Sequence, residues 1–246
     1  MESNPKMKRI LSLLRKTINK YDMIKTDDTI AIAVSGGKDS MVLLEAMYRY
    51  QKFSPIHFEI GVIYIDIGFE DNNCSVIENI CKNYSIPFVC ENTFIKHVVF
   101  DVDTVKNPCS LCSRMRRAAL CDTAKRYGYN KIALGHNRDD ANETLMLNLL
   151  RNAKIECFEP KTTYDDVGIT IIRPLVATPE HEIYSCARRL NLPICQKNCP
   201  ADGNTDRERI KQLIHSISNE IPDVKKNIFS AIQKLSEFSS KEKREE

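Results

Sequence analysis

Two short stretches and a set of cysteines carry the residues whose chemistry can be read directly. Ser35-Gly36-Gly37-Lys38-Asp39-Ser40 puts two glycines, a cation, a carboxylate and two hydroxyls within one turn's length of chain. The glycines predict a positive-φ turn whose N–H groups approach a ligand without Cβ interference. At the start of a helix, such N–H groups form an anion-binding nest, with Lys38 beside it. The spacing is neither GxxxxGK[ST] nor GxGxxG, so this is not a Walker loop or a dinucleotide fingerprint. Gly135-His136-Asn137-Arg138-Asp139-Asp140 brings two more carboxylates to a second turn. Asp140 reads as a helix N-cap with Glu143 as its reciprocal partner, and equally as a carboxylate placed for catalysis. Among the 10 cysteines, Cys109 and Cys112 form a CxxC pair, and Cys195 and Cys199 lie close together later in the chain. A CxxC pair can be a redox dithiol, half of a zinc site or two ligands of an iron–sulfur cluster. The four together can form a Cys₄ zinc site, whereas Cys74, Cys81, Cys121, Cys157 and Cys186 stand apart and read as core or neutral positions.

The elements that must position these residues alternate. Short β-rich runs at 29–34, 57–66, 87–90, 131–134 and 169–172 are separated by helical patterns at 41–50, 72–84, 110–127 and 140–150. Further helices are predicted at 5–22 and 179–190, then over 205–238 with a break at Pro222. Strands alternating with helices through short turns predict an α/β fold, an open, mainly parallel five-stranded sheet with helices on both faces. The N-terminal and C-terminal helices are extensions of it, which divides the chain into 1–26, 27–200 and 201–246. In such sheets ligands bind beyond the carboxyl ends of the strands, so Ser35, Asp66 and Gly135 are expected on one edge.

Composition excludes several classes. Apolar residues are 42% and charged residues 28% of a 246-residue chain, which is ordinary for a globular protein. No apolar run approaches the roughly 20 residues that span a bilayer, so no membrane partner is expected. The N-terminus lacks the pattern of an export signal, and many cysteines without one indicate a reducing, cytoplasmic setting. Net charge is only +3, yet residues 1–20 hold six basic residues and one acid, and residues 106–131 hold seven and one. The rest of the chain is therefore net acidic, and the gathered basic charge favours an RNA partner.

SGGKDS resembles the signature of the PP-loop ATP pyrophosphatase superfamily, and GHNRDDANET resembles the GHxxDDxxET segment of its tRNA-modifying members. With CSLCSRMRR and the late NCPADG, the ordered set is similar to the tRNA 2-thiocytidine synthetase (TtcA-type) family, from about residue 8 to residue 238. That resemblance implies ATP held by Ala33, Ser35, Gly36, Gly37, Lys38, Asp39 and Ser40, with Asp66, Gly135 and His136 around the nucleoside. It implies Mg²⁺ beside Asp39, and Asp39, Asp140, Lys38 and Arg116 as the catalytic set. It further implies a [4Fe–4S] cluster on Cys109, Cys112 and Cys199, with Cys195 as contender for the third place. The implied reaction adenylates C2 of a cytidine at tRNA position 32 and exchanges its oxygen for sulfur. Sulfur would come from a cysteine desulfurase persulfide or from sulfide, and the enzyme would be a homodimer. Arg114, Arg116 and Arg117 would neutralise the adenylate or grip RNA phosphates. Uridine 2-thiolation, a lysidine- or amide-forming PP-loop ligase with structural zinc, and an ATP-responsive RNA-binding module are the rival readings.

Overall fold

The computed structural model describes residues 5–69, 73–100, 108–195, 199 and 205–245, with side chains as far as residue 237. The NCPADG segment, Cys199 apart, lies outside the described residues.

Strand β1 (Asp28–Ala33) is the centre of the molecule because its residues are apolar on both sides. Ile30 and Ile32 face one layer of helices, and Ala31 faces the other. A strand buried on both faces needs this continuous apolar character rather than alternation. β2 (Phe58–Asp66) and β3 (Phe88–Asn92) extend the sheet on one side of β1, all parallel. β4 (Lys131–Ala133) and β6 (Ile169–Ile172) extend it on the other, also parallel. The order is β3-β2-β1-β4-β6-β5, where β5 is the edge strand Lys161–Tyr164. The chain reverses its direction of growth between β1 and β4, and the crevice at that switch point is where open α/β sheets bind ligands.

Helix α1 (Pro5–Lys20) buries Met7, Ile10, Leu14 and Ile18 beside α2 (Lys38–Phe53), α3 (Cys74–Tyr84) and α7 (Glu180–Arg189). On the opposite face, Leu120, Cys121 and Ala124 of α5 (Pro108–Arg126) pack on Ala31, Ile63, Ile132 and Ile171. A third cluster joins Ala141 and Leu145 of α6 (Arg138–Asn152) to Phe229 and Ile232 of α9 (Val224–Glu245). Helix α8 (Asp206–Glu220), capped by the Thr205 hydroxyl, completes that end.

Three expectations need correction. The sheet has a sixth strand, β5 (Lys161–Tyr164), which pairs antiparallel with β6 at the edge. Its sequence, Lys-Thr-Thr-Tyr, has no apolar face to announce it. The short helix α4 (Ile95–Phe100) was likewise not expected; Ile95 and Val99 anchor it. Finally, Asn137 rather than Asp140 is the N-cap of α6, and Asp140 is the reciprocal partner of that capping box.

Candidate active site

The loop after β1 turns at Gly36, whose φ is +80°. A Cβ there would lie 2.8 Å from Cys195 Cβ and 3.0 Å from its Sγ, so glycine is required both by conformation and by space. Of the two loop glycines only Gly36 is left-handed: Gly37 is extended, φ −73°, and starts α2 as its N-cap without a side-chain bond. The Ser40 hydroxyl closes the loop, donating to the Gly37 carbonyl at 2.9 Å and accepting from the Ser35 amide at 3.2 Å. Ordered amides at the start of a 16-residue helix offer a preformed anion site.

The loop after β4 closes on the first turn of α2. A Cβ on Gly135 would stand 3.1 Å from the Asp39 carbonyl carbon and the Ser40 nitrogen, both main chain. Gly135→Ala is therefore expected to force the two loops apart, costing roughly 1–3 kcal/mol as overpacking does, read from urea denaturation.

Asn137 ties the two acidic turns together. Its Nδ2 donates to Asp39 Oδ1 at 3.0 Å, and its Oδ1 accepts from the Asp139 and Asp140 amides at 2.8 and 3.1 Å. Its own amide donates to Asp140 Oδ2 at 2.9 Å. One amide side chain thus fixes both candidate carboxylates, Asp39 and Asp140. Burial raises the Asp140 carboxyl above the usual range, aided by the Asp39 charge and opposed by the Asn137 amide and by Arg207 and Lys38. Glu143, buried on the next turn, is pushed up to about 7 by burial and by the Asp140 charge.

Lys38 is held by Asp39 Oδ2 at 2.9 Å and Glu180 Oε1 at 2.8 Å. Burial works against its charge, but those two carboxylates outweigh it and raise its pKa. Glu180 also takes Lys211 of α8 at 3.1 Å, and its amide donates to Asp139 Oδ2 at 2.8 Å. Asp139 is buried and binds Lys225 at 2.8 Å.

His136 stacks on Phe158 with centroids 4.9 Å apart and accepts at Nδ1 from Arg173 Nε at 3.2 Å. Burial, and then the Arg173, Arg207 and Arg117 charges, depress its pKa to about 3. The ring is neutral at pH 7, with Nε2 as its donor. The unfolded chain takes up this proton near pH 6.5, whereas the folded chain refuses it until about pH 3. The contribution to stability is thus complete above the unfolded value and declines as pH falls through that window. Tm measured from pH 7.5 down to 4.5 is expected to fall more steeply in the parent than in His136→Gln.

These loops open on a cavity of about 510 Å³ at the carboxyl ends of β1 and β4. Of the residues singled out in the sequence, Ala33, Ser35, Asp39, Ser40, Gly135, His136 and Asp140 line it. Cys109, Cys112, Cys199, Arg116 and Arg117 line it too. Cys109, Cys112 and Arg116 share one face of α5, at i, i+3 and i+7, with Cys109 in its first turn and Cys112 just beyond it. Burial raises the Cys112 thiol; Arg116 draws it down, and Cys199 and Cys109 push it up.

Gly36, Gly37, Lys38, Asp66 and Cys195 do not line the cavity. Asp66 ends β2, where its Oδ1 accepts from the Gly68 amide at 2.8 Å. The Cys195 amide donates to the Gly36 carbonyl at 3.0 Å, so this cysteine braces the phosphate loop. Arg114 is exposed and outside the cavity. Sequence reasoning missed Asn137, Glu180, Arg173 and Phe158. Only Asn137 carried a local signal, as an Asn three residues before an Asp at a helix start.

Among the described residues no three His, Cys, Asp or Glu side chains converge on a single metal ion. A [4Fe–4S] cluster binds each thiolate through a different iron, so its ligands stand further apart. Three cysteine side chains around one cavity suit that donor set. No helix among the described residues is long and apolar enough to cross a membrane.

The PP-loop domain family matches residues 6–217. The tRNA-cytidine(32) 2-sulfurtransferase of Citrifermentans bemidjiense is 33% identical over 230 residues, 92% of this chain and 90% of that protein. The protein of that name from Geotalea uraniireducens is 35% identical over 227 residues, 91% of this chain and 90% of its own. Among solved structures, the U34-tRNA thiolase NcsA from Methanococcus maripaludis, solved with its [4Fe–4S] cluster, superposes with a TM-score of 0.78. It covers 94% of this chain and 79% of its own, at 24% identity, a likeness of fold. Fold, loop geometry and sequence kinship agree that this chain belongs to the PP-loop family, among the tRNA-cytidine(32) 2-sulfurtransferases.

Proposed function

We propose that this protein uses ATP to adenylate C2 of a cytidine in tRNA, at the position 32 for which its relatives are named, and replaces the C2 oxygen with sulfur. The observation that carries this reading is the shared cavity: phosphate-loop residues and Asp140 stand around the same space as Cys109, Cys112 and Cys199.

The loop amides and Ser40 bind the β- and γ-phosphates of ATP, and Asp39 would hold Mg²⁺ beside them. The C2 oxygen of the base attacks the α-phosphorus, forming one P–O bond as the bond to pyrophosphate breaks. Lys38 and the loop N–H groups offset the charge that gathers on the leaving group. Asp140, whose pKa burial raises, orients the base or passes a proton. Neutral His136 offers Nε2–H to the nucleotide, while Arg116 and Arg117 balance the adenylate phosphate. Hydrosulfide sulfur then attacks C2, forming the C–S bond as the C2–O bond breaks, and AMP leaves with that oxygen; sulfur arriving as a persulfide is first released as hydrosulfide by a two-electron thiol reductant. A [4Fe–4S] cluster on Cys109, Cys112 and Cys199 would supply an iron without a protein ligand for the incoming sulfur. A cysteine desulfurase persulfide or sulfide serves as donor, to a cytoplasmic homodimer.

Nucleoside mass spectrometry of tRNA from cells with and without the gene tests the reading. Loss of 2-thiocytidine is the expected result. Unchanged 2-thiocytidine with loss of 2-thiouridine or lysidine overturns it in favour of that other chemistry.

A further inference from the structure

The loops after β2 and β3 rise from the same sheet edge as the cavity and are laced together by two main-chain bonds and one from a side chain. Thr93 N donates to the Asp66 carbonyl at 2.8 Å, Lys96 N to the Ile67 carbonyl at 2.8 Å, and Thr93 Oγ1 to the Asp66 carbonyl at 2.8 Å. Buried Ile95 and Val99 pin α4 beneath. What this rigid base presents outward is aromatic. Phe94 is 85% exposed and Val98 40% exposed, while the Phe69 and Phe100 rings meet at 6.0 Å. The Lys96 ammonium lies 5.6 Å from the Phe69 ring centroid. Phe100 also lines the cavity, together with Arg116 and Arg117, so the aromatic surface continues into the candidate active site.

An isolated exposed leucine or phenylalanine is unremarkable, but here the half-buried Phe69 and Phe100 rings meet, and Phe100 lines the catalytic cavity. A lysine lies over Phe69, and the exposed Phe94 stands at the other end of the same short helix. Water gains nothing from such a face, and a duplex offers it no exposed base to stack on. Unpaired bases do: every base has a π-face for a ring and a phosphate for a cation, and stacking needs no particular sequence.

We infer that Phe94, Phe69, Phe100 and Lys96 form a stacking platform for single-stranded RNA bases flanking the base that enters the cavity. This rests on the tRNA reading above and assigns the surface by which the RNA loop is held. The rings take the bases beside the target, and Lys96 faces the intervening phosphates. Holding the neighbours splayed keeps the target base unstacked and free to turn toward Asp140.

Because Phe94 is exposed, Phe94→Ala leaves the core untouched, and equal ATP affinity in parent and variant verifies the fold. Binding of unmodified tRNA, measured by fluorescence anisotropy, is expected to weaken about tenfold, the order of one lost base–aromatic stack, and Phe94→Tyr is expected to restore it. A 2-aminopurine placed beside the target in the tRNA loop is expected to be quenched on binding the parent and much less on binding Phe94→Ala. Equal affinity and equal quenching in parent and Phe94→Ala overturn the platform, whatever the parent does chemically. A parent that makes no thiolated nucleoside overturns the functional reading instead, and the binding and quenching difference then stands without it.

Discussion

Lys38→Ala is expected to lower kcat/KM for tRNA-dependent pyrophosphate release by about 10²–10³-fold, the range for losing one preorganised charge at a developing anion. The size of the effect follows from where the lysine starts. Its ammonium sits between Asp39 and Glu180 at 2.9 and 2.8 Å, at the first turn of α2. Those carboxylates keep it charged and preorganised, so little reorganisation is needed when phosphates arrive. Truncation leaves neither acid stranded, since Asp39 retains Asn137 and Glu180 retains Lys211. Tm is therefore expected to change little, which separates lost chemistry from lost fold. Glu180→Gln is expected to act in the same direction more weakly, raising KM for ATP more than it lowers kcat, because Glu180 only positions the lysine. A Lys38→Ala enzyme within about threefold of the parent in kcat/KM would remove Lys38 from the catalytic set.

How far such a site can be read in advance depends on how local its causes are. Strand β1 was legible because burial on both faces demands an unbroken apolar run, and Ile30–Ala33 supplies one. The turn that opens α2 was legible because Gly36, Ser40 and the start of α2 are contiguous. Strand β5 was not, because Lys161–Tyr164 is held by its ladder to β6 rather than by an apolar face of its own. The cap of α6 was misplaced for a narrower reason. Asn137 to Asp140 and Asp140 to Glu143 are both an Asx three residues before an acid, and only the fold selects between them. Glu180, Arg173 and Phe158 reach Lys38 and His136 through tertiary contacts, with no neighbouring motif to mark them. The PP-loop motif and the cysteine spacing told the kind of chemistry. The partners that set charge and orientation came from distant stretches of the chain.

The two late cysteines separate on the same grounds, and Cys199→Ala and Cys195→Ala are expected to fail in different ways. Cys199 lines the cavity with Cys109 and Cys112, and its sulfur is close enough to push the Cys112 thiol upward. Cys195 lies against the phosphate loop instead, its amide bonded to the Gly36 carbonyl and its side chain in the space a Gly36 Cβ would fill. After anaerobic reconstitution, Cys199→Ala is expected to lose most of its iron and the broad absorption near ~400 nm of a thiolate-bound cluster. Thiolation should be lost with them, because two thiolates of α5 leave the cluster short of its third anchor. Pyrophosphate release should survive, because no phosphate-loop residue has moved. Cys195→Ala is expected to keep iron and absorption and to show a higher KM for ATP, since Gly36 loses the side chain packed against it. The assignment rests on this crossing of phenotypes rather than on either loss alone. Iron lost from Cys195→Ala and kept by Cys199→Ala would exchange their roles, and iron kept by both would leave α5 to hold the cluster with some other ligand.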